Sequence, residues 1–503
     1  MRTRYPEVAI LQVQFSHMRF TSFLLLSAAG ALASSAAWGQ TEARQIEFTE
    51  FDLDNGLHVI LHEDHSTPLV AVTVLYHVGS KNERTDRTGM AHFFEHLLFE
   101  GSENIARGEF DAYVENAGGI LNANTTQDRT FYYELLPSNQ LELGLWLESE
   151  RMLHAKIEQI GIDTQNEVVK EEKRQRYDNQ PYGQLLPTTM AMAYDEHPYQ
   201  WTPIGSMEHL DAADHADFME FYETFYVPEN ATLSIAGDLD VDETRDLIEK
   251  YFQDIPRGGR DIPRPTIIEP ARTAEVRDTI YGKDRLPLVV QAYPIPAQGT
   301  PDYYAVDMLN QVLSGGESAR LNQRVVENDQ LALFCGAFSF GLEDPGLTLG
   351  FAMCNMGVDP SEVEAAMNDE VERMKRELIS DRELQKLKNQ IEYGFVTGNQ
   401  SMAGIAESLA NYHTYFGDAN LINTEIERYL AITPEDIRAA AQKYYVPEQR
   451  VTLYFLHDPN SSHEIDLHHP PSPRGTLRDG SRCEYTVLES SRPQHGTGSG
   501  PRS

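Results

Sequence analysis

The chain has 503 residues, 41% of them hydrophobic, and sets 41 Lys and Arg against 78 Asp and Glu for a formal net charge of −37. That length buries two or more cores, and the composition excludes a fibrous or wholly disordered protein. The acidic balance leaves no phosphate-binding surface, which excludes nucleic acid as the main partner.

Residues 1–39 read as a secretory signal peptide. Arg19 precedes a run of apolar and small residues over 24–33, which closes in Ala37, Trp38 and Gly39. Translation from Met18 and a long leader from Met1 read equally well. The apolar run is too short to span a bilayer, and no later stretch reaches the roughly 18 apolar residues of a membrane helix. The expectation is an exported protein, periplasmic or else secreted, without stable membrane insertion.

Hydrophobic alternation predicts paired strands over 59–62 and 69–77, and a helix over 90–100. A second strand pair is expected at 119–124 and 129–136, followed by helices over 140–153 and 163–177. Adjacent strands with segregated helices indicate an α+β fold, an antiparallel sheet packed with helices.

Phe225 to Leu233 (FYVPENATL) recurs as Tyr444 to Leu453 (YYVPEQRVTL) with one residue inserted and an offset of 219. A helical pattern precedes the Val-Pro turn in both copies and an apolar strand follows it. Proline fits there because the helix has already ended. The chain therefore reads as two copies of one unit: an N-terminal domain over 45–255, a Pro- and Gly-rich linker over 256–275, and a C-terminal repeat over 276–459. Residues 460–503 read as a disordered tail. Of three cysteines, Cys335 and Cys354 flank a hairpin centred on 342–346, which predicts a cross-strand disulfide and leaves Cys483 over.

The chemistry concentrates in His92-Phe93-Phe94-Glu95-His96. On a helix His92 and His96 are i and i+4 and share a face, the spacing at which two imidazoles reach one Zn²⁺. Glu95 reaches a water beside the metal, as a general base requires. This is the H-x-x-E-H order of the inverzincins. A catalytic zinc needs a third protein ligand, and helical geometry over 163–177 leaves Glu171 and Glu172 as close competitors.

The chain resembles the pitrilysin or insulinase family of zinc peptidases from about Phe48 to Pro459, in the bacterial branch similar to mitochondrial processing peptidase. Seventy-five residues separate His96 from Glu172, a spacing at which the family carries its third ligand, so the resemblance selects Glu172. Gly79 to Glu83, Pro181-Tyr182-Gly183, Gly315-Gly316 and Ser318 to Leu321 also resemble family segments. Gly119 to Thr125 resembles the substrate edge strand, which gives Asn122 and Ala123 the role of pairing with an extended peptide.

The resemblance fails at one place. The family's substrate-gripping arginine and tyrosine align with Val326 and Leu333, neither of which offers a side-chain hydrogen bond. Arg320 and Arg324 lie nearby without a tyrosine at the family's spacing, and Gln165 stands where many relatives carry a glutamate. The resemblance thus implies a zinc endopeptidase that works as the catalytic subunit of a heterodimer, with a homologous partner supplying the Arg/Tyr pair. A homodimer is the other arrangement. A non-catalytic peptide-binding or structural subunit is the alternative function.

Overall fold

The computed structural model describes residues 45–459. The signal-peptide reading, the tail reading and Cys483 lie outside the described residues. The first half contains β1 (Thr49–Asp52), β2 (His58–Glu63), β3 (Leu69–Tyr76), α1 (Met90–Leu97), α2 (Phe110–Asn116), β4 (Ile120–Thr125), β5 (Thr130–Pro137), α3 (Leu141–Leu153), α4 (Gln159–Lys173), α5 (Leu185–Ala193), α6 (Met207–Ala212), α7 (His215–Phe225), β6 (Ala231–Gly237) and α8 (Val241–Phe252). The second half contains β7 (Val276–Gly282), β8 (Leu288–Pro294), α9 (Pro301–Ser314), β9 (Ala332–Phe340), β10 (Leu347–Cys354), α10 (Pro360–Arg376), α11 (Asp381–Gly398), α12 (Met402–Phe416), α13 (Leu421–Leu430), α14 (Pro434–Tyr444) and β11 (Val451–His457).

The strands form a six-stranded sheet, β1-β2-β6-β3-β5-β4, and a five-stranded sheet, β7-β11-β8-β10-β9. Each is antiparallel except for one parallel pair, β2 with β6 and β7 with β11. The two echo strands occupy equivalent places. β6 lies between β2 and β3, and β11 lies between β7 and β8. All seven residues of β6 are buried, as an apolar run in a central strand requires. The helices before the echoes start on side-chain caps: Asp214 accepts from Ala216 and Asp217 N–H, and Thr433 accepts from Asp436 N–H.

Two expectations need correction. The strands read at 59–62 and 69–77 share a sheet but do not pair, because β6, more than 150 residues later, inserts between them. Sequence periodicity marks a strand without naming its neighbour. The disulfide is also absent, and both Cys335 and Cys354 are free. The hairpin sets Phe340 opposite Leu347, so Cys335 faces Ala352, while Cys354 lies opposite Ala332 beyond a bulge. Burial pushes both thiols up to about 11.

The halves exchange helices. Met190 of α5 belongs to a core with Leu288 and Val290 of β8 and with Leu453 and Phe455 of β11. In return Ile405, Ala406 and Leu409 of α12 pack on Ile60, Ala71 and Ala236 of the first sheet. A fully buried Leu or Ile contributes about 1.5–3 kcal/mol, so each half depends on a helix from the other.

A polar junction adds to this exchange. Lys81, only 4% exposed, lies 3.0 Å from Asp128 and also meets Glu343 and Asp344, the tip of the β9–β10 hairpin. His77 meets Glu343 at 2.8 Å, and the Tyr199 hydroxyl donates to Asp128 at 2.6 Å. The Gly79 to Glu83 segment thereby touches the β4–β5 turn on one side and the second half on the other.

Candidate zinc centre

Helix α1 is short and held at both ends. Gly89 precedes it at φ 100°, a left-handed conformation that favours glycine. The helix has no side-chain cap of its own. Glu83 supplies one from outside, accepting the N–H groups of Gly89 and Ala91 at 2.8 Å each, with Trp201 Nε1 donating at 3.1 Å. Burial pushes the Glu83 carboxyl up to about 8 against the pull of these donors. At the other end the Tyr132 hydroxyl donates to the Phe94 carbonyl, and Arg151 Nη1 donates to the Leu98 carbonyl, both at 3.0 Å. Phe93 and Phe94 point into the core against Phe218, which turns His92, Glu95 and His96 away from it.

Helix α4 brings Glu172 to the two histidines. Its Oε2 lies 3.5 Å from His92 Nε2 and 3.2 Å from His96 Nε2. One donor atom from each of the three lies within 4.8 Å of the others. The imidazole rings meet at 74°, so their nitrogens converge. Glu171 points elsewhere, with its side chain 53% exposed and paired to Arg174 at 3.2 Å. Of the two competitors, only Glu172 faces the histidines.

The donor set suits zinc. Two imidazoles and one carboxylate leave a fourth position open, as catalytic zinc sites do. Glu172 Oε2 is buried without a hydrogen-bond partner, a costly arrangement unless a cation stands there. Burial alone would raise the Glu172 carboxyl, but the His92 and His96 rings and Arg176 hold it well below the usual carboxylate range.

Beside this cluster opens a cleft of about 560 Å³, lined among others by Glu95, His96, Asp111, Glu115, Asn122 and Ala123. Strand β4 forms the free edge of its sheet, paired only with β5. Asn122 is exposed there, and its side-chain oxygen accepts the Ala123 N–H at 2.9 Å. Gln165 lines the same cleft and donates to Glu100 at 2.5 Å.

In the second half Val326 packs on the core and Leu333 lies exposed on β9. Arg320 is 3.0 Å from Glu383, and Arg324 is 2.6 Å from Asp329, so both arginines are engaged. Helix α9, which follows β8 as α1 follows β3, contains no histidine. Sequence reasoning missed Glu83, Arg151, Arg176, Asp111 and Glu115. Glu83 ends a segment already singled out, but nothing in the sequence names the N–H groups it caps.

Fold and site together define an α+β protein of two similar sheets, whose α1 and α4 bring two histidines and a glutamate together in the H-x-x-E-H order of the inverzincins. Residues 58–203 match the family described as Insulinase (Peptidase family M16), and residues 212–391 match the Peptidase M16 inactive domain. Zinc protease PqqE of Helicobacter pylori is 30% identical over 406 residues, covering 80% of this chain and 91% of that protein. Mitochondrial-processing peptidase subunit beta of Lentinula edodes is 24% identical over 444 residues, covering 82% and 93%. Among solved structures, a protease from Helicobacter pylori superposes with a TM-score of 0.78 at 29% identity, covering 82% of this chain and 100% of the other. The first half of the periplasmic protease PqqL from Escherichia coli shares the fold, with a TM-score of 0.68 at 19% identity and coverage of 82% and 93%. The chain belongs to the M16 family of zinc peptidases, and its cofactor is Zn²⁺.

Proposed function

We propose that the chain is a zinc endopeptidase in which His92, His96 and Glu172 hold the metal and Glu95 is the catalytic base. The convergence of those three side chains beside a cleft that also contains Glu95 and the free edge of β4 carries this reading. The metal supplies Lewis acidity, making water acidic near neutral pH and polarising the scissile carbonyl. Glu95 takes the proton from the attacking water and returns it to the departing amine. Asn122 and Ala123 on β4 bind the substrate by adding it as a further strand, so its backbone, not its sequence, supplies most of the contact. Asp111 and Glu115 give the cleft an acidic wall that favours cationic peptides.

The catalytic work is divided between two chains in this reading. Val326 and Leu333 cannot grip substrate, and Arg320 and Arg324 are bound to carboxylates, so a homologous partner brings the missing arginine and tyrosine. The leader-like residues 1–39 favour export to the periplasm. Among the described residues no helix is long and apolar enough to cross a membrane. Residues 45–255 and 276–459 are the two domains, joined through 256–275, with α5 and α12 crossing between them.

The test is cleavage of a quenched peptide library by the chain with and without its genomic neighbour, comparing wild type with Glu95→Gln. Turnover that survives this substitution overturns the mechanism. Full activity from the chain alone overturns the division of labour. No cleavage under any condition supports the non-catalytic subunit instead.

A further inference from the structure

Among the described residues, two groups of His, Cys, Asp or Glu bring three donor atoms within 4.8 Å of one another. One is the zinc centre already described. The other is Glu50, His58 and His413, placed where β1 and β2 of the first half meet α12 of the second. Glu50 lies on β1, His58 opens β2, and His413 lies in the last turn of α12.

The geometry around His58 is that of a metal ligand. Its Nδ1 is 2.8 Å from Asp52 Oδ1, and Asp52 stands directly opposite it in the β1–β2 ladder. A carboxylate there holds the proton on Nδ1 and leaves the Nε2 lone pair free, the orienting contact that metal-binding histidines carry. That Nε2 is buried, has no hydrogen-bond partner, and lies 3.6 Å from Glu50 Oε2. The Glu50 side chain is 48% exposed, which leaves an entry route from solvent. The His413 ring stacks on His58 with centroids 3.4 Å apart and planes within 5°.

We propose that Glu50, His58 and His413 form a second divalent-metal site, separate from the catalytic centre, which takes a zinc-class ion and ties α12 to the edge of the first sheet. Two imidazoles and a carboxylate select a borderline-soft transition cation over Ca²⁺ or Mg²⁺, which require mainly oxygen. Parallel rings cannot both aim a lone pair at one point. Binding therefore swings His413 out of the stack, toward the crossed arrangement of His92 and His96. Because α12 is the helix that the second half lends to the first sheet, an ion here strengthens the joint between the halves, and its affinity adds to the stability of that joint.

The experiment uses the full chain without a polyhistidine tag, dialysed against micromolar zinc and measured for metal content. Wild type is expected to hold two zinc ions per chain, and Glu50→Gln and His413→Asn one each. Glu50→Gln alters an exposed side chain, so its loss of metal cannot be ascribed to misfolding. In a second arm, His96→Asn disables the catalytic site. Zinc then still raises the melting temperature of this variant, and the rise disappears when His413→Asn is added. One ion in wild type, or a second ion that survives both Glu50→Gln and His413→Asn, overturns the proposal. The latter result would place the extra zinc elsewhere in the chain, and would leave His58 and His413 as a plain stacked pair.

Discussion

Glu172 divides its two carboxylate oxygens between different tasks: Oε1 lies 2.8 Å from Arg176 Nη1, while Oε2 faces His92 and His96. Arg176 sits four residues on, in the π-helical turn Arg174–Asp178 that follows α4. In the proposed zinc site, Arg176 would hold Oε1 and leave Oε2 as the donor. Arg176→Ala is expected to weaken zinc binding by about tenfold, the low end for a residue that orients a ligand, because the guanidinium is largely solvated. Glu172→Gln removes the anionic ligand itself and is expected to weaken binding much further. Competition with a chelator measures both, and an unchanged affinity for Arg176→Ala contradicts this role.

The cap on α1 makes a separate prediction. Glu83→Ala leaves the Gly89 and Ala91 N–H groups without their acceptor, at a cost of about 1–3 kcal/mol, while Trp201 Nε1 keeps its bond to the Ser80 carbonyl at 2.9 Å. Because these groups sit at the start of the zinc helix, zinc affinity should fall along with stability. Denaturant unfolding with and without metal separates the two effects. A loss of stability at unaltered zinc affinity would falsify the positioning role.

Acidification tests the junction between the halves. Burial alone would raise Glu343, but His77 and Lys81 hold its carboxyl at about 2, below its ordinary 4.5. A carboxyl depressed in the folded state adds stability that is complete above about pH 4.5 and is lost as pH falls through about 2. Wild type should therefore exceed Glu343→Gln in stability near pH 5, by a margin that narrows toward pH 2. Asp128, Asp344 and Arg264 also face this group and remain in both proteins. A margin independent of pH would mean that the contact works by packing and not by charge.

The acidic wall of the cleft bears on selectivity. Burial raises the Asp111 carboxyl, and Glu115 raises it further, yet both acids line the space next to β4. Asp111→Asn combined with Glu115→Gln should raise KM for peptides rich in Lys and Arg, and leave neutral peptides within about twofold. The effect should shrink as salt is added, since exposed charges are screened over about 10 Å at 0.1 M. Equal changes for both peptide classes would remove the charge argument.

Binding along the edge strand can be tested through the backbone. Ala123→Pro removes one N–H from β4, and a single lost hydrogen bond of about 0.5–1.5 kcal/mol corresponds to a rise of roughly two- to twelvefold in KM. Metal content should not change. Should zinc be lost as well, the substitution has disturbed more than the edge.

Much of this molecule was legible in its sequence because the signals are local. The His92-x-x-Glu95-His96 spacing follows from helix geometry alone. The Val-Pro echoes announce two copies of one unit, and both fill the same slot in their sheets. Apolar periodicity located the strands and the helix carrying the histidines. Local signals could not say which strands pair, since β6 reaches its place between β2 and β3 only after the chain has passed through the zinc helix and the cleft. They could not separate Glu171 from Glu172 either. Neighbours on one helix differ by about 100° of rotation, and only the packing of α4 against α1 decides which one faces the two histidines. The exchange of α5 and α12, the cap from Glu83 and the meeting of His58 with His413 join residues far apart in the chain. Tertiary structure alone decided these, because burial and close approach arise only once the two halves have closed on each other.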